Sequence, residues 1–273
     1  MSTSQFPEAF ASMAIGLGTP KRYFPVKNLN RVGSLVASFI IIGGSILVFL
    51  YGLNVAYAAY QKHGPALIVD KLAVPVIIAF IMLLLGLTVG WYAYGNWRRG
   101  VAVYERGFAV RDRKGIRTWR WEEIISLTSA VTRRYTNGIF TGTTHVYNLF
   151  TRQKQHLVLN DIYTKVEELA KAIQDGIFPI LYDRAAQQYN AGQILVFGPV
   201  AISKDGIQIS KKTYPWTEVQ QVSIHQGILK VSKKGGGWFS GAGASASVIP
   251  NLNVLLNIIY QVVGLKLGKQ PKE

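Results

Sequence analysis

The sequence predicts an α+β membrane protein, with a two-helix transmembrane hairpin followed by two small antiparallel-sheet modules, each closed by a C-terminal helix. Three observations carry this. Residues 32–51 (VGSLVASFIIIGGSILVFLY) and 72–94 (LAVPVIIAFIMLLLGLTVGWYAY) contain no charged side chain. At about 1.5 Å per helical residue, either run crosses the ~30 Å of hydrocarbon in a bilayer, and only a helix satisfies its own backbone there. From residue 101 the apolar residues alternate instead of running on, which is strand patterning. The order strands-then-helix then occurs twice.

The hairpin (32–95, helices about 32–54 and 72–95) turns through residues 61–71, too few for a domain. Lys21, Arg22, Lys27 and Arg31 precede it, and Arg98, Arg99, Arg106, Arg111, Arg113, Lys114, Arg117 and Arg120 follow it, whereas the turn holds only Lys62 and Lys71. The positive-inside rule then places the protein in the cell membrane, multi-pass, with both termini cytoplasmic. Tyr51, Tyr57 and Tyr60, and Trp91, Tyr92, Tyr94 and Trp97, suit aromatic belts at the two interfaces. Length argues against a cleaved signal peptide, whose apolar stretch is about 7–15 residues near the start. Gly86 and Gly90 form a G-x-x-x-G spacing for helix packing, either between the two arms or in a homo-oligomer. Pro75 is expected in the first turn of the second arm. No ionisable residue lies inside either arm, which argues against an ion path.

Net charge is +16. From Asn96 onward 24 basic residues stand against 12 acidic ones, a balance of +12. Such a segment beside the inner leaflet is drawn to anionic lipid by about 1 kcal/mol for each cation near the surface. Nucleic acid, the other common partner of such charge, has no fold signature here. Cysteine is absent, which removes disulfides, thiolate nucleophiles and zinc–thiolate sites.

Residues 1–31 read as a mostly irregular cytoplasmic tail, with one or two helical turns at PEAFASMA. The first module (100–176) opens with strands broken at Arg106-Gly107 and Lys114-Gly115, continues with turns at Asn137-Gly138 and Gln153-Lys154, and ends in a helix. Ile162, Val166, Leu169 and Ile173 stand on one face of that helix, which stops near Gly176. A helical connector (177–193) leads to the second module (194–265). There GILKVSKK gives a strand, and IPNLNVLLNIIYQVVG a helix capped by Asn251, with Leu255, Ile258 and Ile259 on one face. A polar tail (266–273) ends the chain.

The two modules share a motif. Gly107-Phe108-Ala109-Val110 with Trp121-Glu122-Glu123-Ile124 is matched by Gly206-Ile207-Gln208-Ile209 with Trp216-Thr217-Glu218-Val219. This pattern resembles bacterial pleckstrin-homology-like (PH-like) domains. The whole arrangement is similar to an uncharacterised family of bacterial two-helix membrane proteins with PH-like cytoplasmic domains. The resemblance covers nearly the whole chain, including FGPVAIS and IPN. It implies a strongly bent antiparallel sheet with a C-terminal helix and no enzymatic activity. Each module is short for that fold, so that strands are missing or a sheet is shared.

Nothing in the sequence assembles a catalytic centre. His63, His145, His156 and His225 stand at no metal-ligand spacing, and Glu122 and Glu123, adjacent on a strand, face opposite ways. The glycine-rich stretches at Gly16 and Gly235 lack the Lys-Ser/Thr ending of a phosphate loop. No catalytic residue, metal or cofactor is expected. Trp119, Trp121 and Trp216 read as packing residues. The candidate contact with lipid headgroups comprises Lys230, Lys233, Lys234, Trp238 and Phe239, where lysines flank a glycine loop, together with Arg111, Arg113 and Lys114. The expected function is a membrane-anchored, non-catalytic PH-like binding or scaffold protein that engages protein partners or anionic headgroups. The alternative is an accessory subunit of a larger membrane complex, docked through its helices without lipid recognition.

Overall fold

The computed structural model describes residues 6–12, 14–235 and 241–262. Its elements in chain order are α1 (Glu8–Ala11), α2 (Ala14–Leu17), β1 (Pro20–Pro25), α3 (Ser34–His63), α4 (Ile68–Trp97), β2 (Gly100–Tyr104), β3 (Gly107–Asp112), β4 (Gly115–Arg120), β5 (Ile124–Thr136), β6 (Ile139–Thr151), β7 (His156–Asn160), α5 (Val166–Asn190), β8 (Leu195–Phe197), β9 (Val200–Ile202), β10 (Gly206–Ile209), β11 (Lys212–Pro215), β12 (Val219–His225), β13 (Ile228–Lys233), β14 (Ala242–Ser245) and α6 (Leu252–Val262). Four antiparallel sheets result, ordered β1-β2-β3-β4, β5-β6-β7, β11-β10-β9-β8 and β12-β13-β14. A four-stranded sheet, a three-stranded sheet and a helix therefore occur twice. Two compact units emerge: Met1–Phe24 with Ala102–Ala109 and Thr118–Glu273, and Pro25–Val101 with Val110–Arg117.

The second unit holds the hairpin. Both arms are long and apolar enough to cross a membrane, and each runs 30 residues, further than the sequence suggests. The reversal is confined to Gly64, at φ 71°, and a 3₁₀ turn, Pro65–Leu67. Residues 55–63 and 68–71 thus belong to the helices rather than to the turn. The seam between the arms is lined by small residues seven apart. Ser38, Ser45 and Gly52 are buried on α3, as are Ala79, Gly86 and Ala93 on α4. A seven-residue repeat keeps one face of each helix against the other. The Ser38 hydroxyl donates to the Gly86 carbonyl and the Ser45 hydroxyl to the Ala79 carbonyl, each at 2.8 Å.

The G-x-x-x-G pair is spent inside the hairpin. A Cβ at Gly86 would lie 2.6 Å from Ile42 Cγ1, and one at Gly90 would lie 2.8 Å from Ser38 Oγ. Of the two uses the sequence left open for this face, packing between the arms is the one seen here. Pro75 lies well inside α4 and not in its first turn. Its ring packs on Gly52, where a Cβ would come within 2.5 Å of it. Large residues point the other way: Phe39, Ile40, Leu47, Phe80 and Leu85 are each more than half exposed.

In the first unit, the segment expected to be an irregular tail is folded. Phe10 is buried, and the Tyr104 hydroxyl donates to its carbonyl at 2.6 Å. Residues 20–25 form the outer strand of the first sheet, a position that tolerates Pro20 and Pro25 because an edge needs fewer N–H donors. The first strand of this sheet precedes the hairpin and the second follows it, which accounts for the apparent shortness of the first module.

The repeated motif plays matching parts in the two sheet sets. Trp121 N donates to the Arg106 carbonyl and Trp216 N to the Asp205 carbonyl, both at 3.1 Å. The indole N–H of Trp121 donates to the Glu105 carbonyl and that of Trp216 to the Ser203 carbonyl, both at 2.9 Å. Glu123 and Glu218 carbonyls accept from Arg152 N and Lys234 N, both at 2.8 Å. Gly107 and Gly206 each sit where a Cβ would strike a backbone carbonyl, of Trp119 and Tyr214 respectively. Ile124 and Val219, which end the motif, are fully buried.

Helix α5 does not end at Gly176, and no separate connector follows it. It runs through Gly176 and Pro179 to Asn190. Gly176 serves packing instead, since a Cβ there would lie 2.5 Å from the Trp121 indole. Trp119 and Trp121 are buried and stack on Phe108 with ring centroids 5.3 and 5.7 Å apart. Glu122 and Glu123 lie in a 3₁₀ turn, Trp121–Glu123, and not on a strand; the Glu123 carboxylate accepts from Arg120 N at 2.7 Å. Asn251 precedes α6 as expected, but its side chain serves β5: it accepts from Leu127 N and donates to the Ile125 carbonyl, each at 2.9 Å. Leu255, Ile258 and Ile259 are fully buried. The polar tail (266–273) lies outside the described residues.

Burial pushes the Tyr104 hydroxyl up to about 12 from its ordinary 10. A raised folded-state value means that the neutral form is the one the fold holds, so its contribution is complete below pH 10 and disappears as pH climbs through 10 to 12. Tyr104→Phe should lower stability by about 1 kcal/mol at neutral pH, for the lost hydrogen bond. It should also flatten the decline above pH 10. Thermal unfolding of the two proteins across that range checks this, and equal slopes would disprove it.

Candidate functional site

In the second unit the last turns of α4 carry Trp91, Tyr94 and Gly95, and Arg98 follows directly as the cap, a spacing that sets them on one side of the helix. With Arg111, Asp112, Arg113 and Gly115 they line an open cleft of about 330 Å³. Strands β3 and β4 are joined by Arg113 and Lys114, and Gly115, at φ 126°, closes that turn. Asp112 shapes it by accepting from Lys114 N at 2.8 Å and from the Arg117 guanidinium at 2.7 Å. The Arg113 guanidinium lies against the α4 backbone, where a Cβ at Gly95 would collide with it, and 5.8 Å from the centroid of Tyr92.

Further cations gather at the same end of the hairpin. Arg31 stacks over Trp97 at 4.7 Å. The Asn96 side chain is fully buried, and neither its oxygen nor its nitrogen has a hydrogen-bond partner among the described residues; Arg31 Nε and Arg99 Nε are likewise buried without one there. No carboxylate forms an ion pair with Arg98, Arg111 or Arg113 among the described residues. Guanidinium groups present planar forks of N–H donors that match phosphate oxygens, and aromatic rings beside them suit the zone between headgroup and acyl chain. The cleft therefore sets arginines and aromatic rings side by side.

Of the eight residues expected to touch lipid, Arg111 and Arg113 line this cleft, and Lys114 sits beside Arg113 in the turn. Lys230, Lys233 and Lys234 belong to the first unit, on β13 and its end. Lys233 Nζ pairs with Glu218 at 3.0 Å, while Lys230 is exposed and stands across the sheet from Ser223 and Gly243. Trp238 and Phe239 lie outside the described residues. Sequence reasoning missed Arg98, Trp91, Tyr94 and Gly95, although their spacing of three and four residues was the available signal.

Two other features of the first unit bear on function. A groove of about 730 Å³ runs between β5, α5, the β12–β13 turn and the start of α6, and no residue lining it is ionisable. His145, dismissed on spacing, stands between two carboxylates. Its Nδ1 is 3.0 Å from Asp161 and its Nε2 2.8 Å from Glu167, while its backbone N–H donates to Asp161 at 2.7 Å. The cluster fastens the first turn of α5 to β6. Tyr147 beside it has its hydroxyl pushed up, chiefly by burial and then by Glu167 and Asp161.

An α+β chain with two long apolar helices and small antiparallel sheets is thus defined. It belongs to DUF6585, a family of unknown function, whose model matches residues 7–264. Comparison with curated proteins gives no match.

His145→Phe should loosen the α5 start. Glu167 is 69% exposed, so solvent screens that pair and most of the effect comes from Asp161. Amide exchange at 166–170 should rise by about tenfold, the equivalent of one hydrogen bond to a charged group. Unchanged exchange would show the cluster to be incidental.

Proposed function

We propose that this chain is a membrane-anchored, non-catalytic binding or scaffold protein. Its hairpin crosses the cell membrane with both termini cytoplasmic, and its sheets form PH-like modules at the inner leaflet. The arginine–aromatic cleft at the end of α4 engages anionic lipid headgroups. That cleft is the observation that carries the reading, because three arginines that pair with no carboxylate among the described residues meet aromatic rings beside a helix long enough to span. The inside-out hairpin supports the bilayer as its solvent. Small residues and serine–carbonyl bonds fill the seam while large apolar residues face outward, the arrangement favoured where lipid surrounds helices. In water, an exposed apolar surface of that extent is an aggregation hazard. The PH-like reading is supported by the recurrence of four strands, three strands and a helix, with tryptophan motifs in matching hydrogen bonds.

The test uses the full chain in detergent, titrated with phosphatidylglycerol or phosphatidylcholine and read by native mass spectrometry. Each arginine near a lipid surface contributes about 1 kcal/mol, so Arg98→Gln with Arg111→Gln and Arg113→Gln should weaken phosphatidylglycerol binding on the order of 100-fold and leave phosphatidylcholine unaffected. Equal binding of phosphatidylglycerol to both proteins would refute a headgroup role for the cleft.

A further inference from the structure

Strands β5 and β6 outrun their sheet. β7 pairs with β6 only from Val146 to Phe150, so residues 131–136 and 139–145 project as a two-stranded ribbon beyond the third strand. Its turn, Asn137 at φ 50° and Gly138 at φ 79°, has the two left-handed residues that a tight two-residue hairpin requires. The ribbon ends in apolar side chains that stand open to solvent among the described residues: Tyr135 is 60% exposed, Ile139 71% and Phe140 54%. Tyr135 and Phe140 face each other across the strands with ring centroids 5.8 Å apart. Just behind them the register shifts between Arg134 and Tyr135, and such a bulge re-aims the side chains that follow.

A ribbon of two strands gains little stability from its own contacts in water, so large apolar residues at its tip need another explanation. Charge supplies one. No aspartate or glutamate occurs from residue 124 to residue 160, and Arg133 and Arg134 lie one step behind the apolar tip, both exposed. Aromatic and aliphatic residues at a tip with arginines just behind match the layering of a bilayer surface. There the rings settle at the acyl boundary and the cations meet phosphate.

We infer that the β5–β6 ribbon is a membrane-interface wedge: Tyr135, Ile139 and Phe140 enter the headgroup region of an anionic leaflet, and Arg133 and Arg134 engage its phosphates. This rests on the reading that α3 and α4 cross the bilayer. The crossing makes docking of the ribbon an intramolecular event at high effective concentration, so that a few side chains suffice. The wedge would then be a second contact with the leaflet, separate from the arginine cleft, and it would fix the orientation of the first unit against the membrane.

The absence of native cysteine allows single-site labelling of the full chain. Ile46→Cys, Ile139→Cys and Gln153→Cys, each carrying an environment-sensitive fluorophore, are reconstituted in phosphatidylcholine vesicles with or without phosphatidylglycerol, and quenched by spin-labelled lipid. The expected result is quenching at position 46 in both lipids, quenching at position 139 with phosphatidylglycerol that high salt reduces, and none at position 153. Arg133→Gln with Arg134→Gln should lower the docking equilibrium on the order of 30-fold. Quenching at 46 without quenching at 139 overturns the wedge and leaves the membrane anchor standing. A spectral shift at 139 without lipid quenching also overturns it, and points to a second copy or another protein on the ribbon. No quenching at 46 overturns the anchor itself.

Discussion

The close approach of two apolar helices over a seam of small residues is the constraint on which the rest depends. Ser38, Ser45 and Gly52 against Ala79, Gly86 and Ala93 leave no bulk between the backbones, and the serine hydroxyls use that closeness to reach carbonyls on the other helix. With the small side chains turned inward, the large ones must face outward, which defines the solvent the hairpin tolerates. Gly64 reverses the chain within a few residues, so the far ends of the arms, at Arg31 and Trp97, come together. The same turns of α4 then place Arg98, Trp91 and Tyr94 along one side of the cleft, and Gly95 lets the Arg113 guanidinium lie on the helix.

The sheets follow a second constraint, the tryptophan that begins the strand-entering turn. Trp121 and Trp216 each tie that turn to two carbonyls upstream, one through the backbone N–H and one through the indole N–H. Once the indole is fixed, whatever crosses it must be thin. Gly176 meets that demand in the middle of α5, where a glycine otherwise destabilises a helix by about 1 kcal/mol. Asn251 links the last helix to β5 through three hydrogen bonds, one of them from its backbone N–H, so the second set of sheets is joined to the first by polar contacts and not by chain connectivity alone.

Much of this was legible in the sequence, and the misses have physical causes. The apolar arms, the Asn137-Gly138 turn and the Gly107/Gly206 and Trp121/Trp216 correspondence could be read because each is a local pattern. The ends of α3 and α4 were misjudged because charged residues such as Lys62 and Lys71 fit an exposed helical turn as readily as a loop. Strand β1 was missed because six residues that begin and end in proline carry no alternation strong enough to announce a sheet edge whose partner lies beyond the hairpin. Gly176 looked like a stop signal, since a glycine required by an indole from elsewhere in the chain is locally identical to one that ends a helix. The arginine cleft was half legible. Arg111 and Arg113 stood out as charge, but Arg98 and Gly95 gain their meaning only when α4 and the β3–β4 turn meet. The ion cluster at His145 likewise joins a strand, a loop and a helix, and no spacing rule reaches across all three.

The seam itself is open to direct measurement. In the cysteine-free chain, Ser45→Cys paired with Ala79→Cys places two thiols across it, and Leu47→Cys paired with Leu85→Cys places two on the outward faces. Oxidation of the full chain in membranes should close an intramolecular disulfide in the first pair and none in the second, read as a mobility shift that reductant reverses. Cross-linking of the outward pair within one chain, or failure of the inward pair to close, would contradict the small-residue seam and with it the cleft that the hairpin assembles.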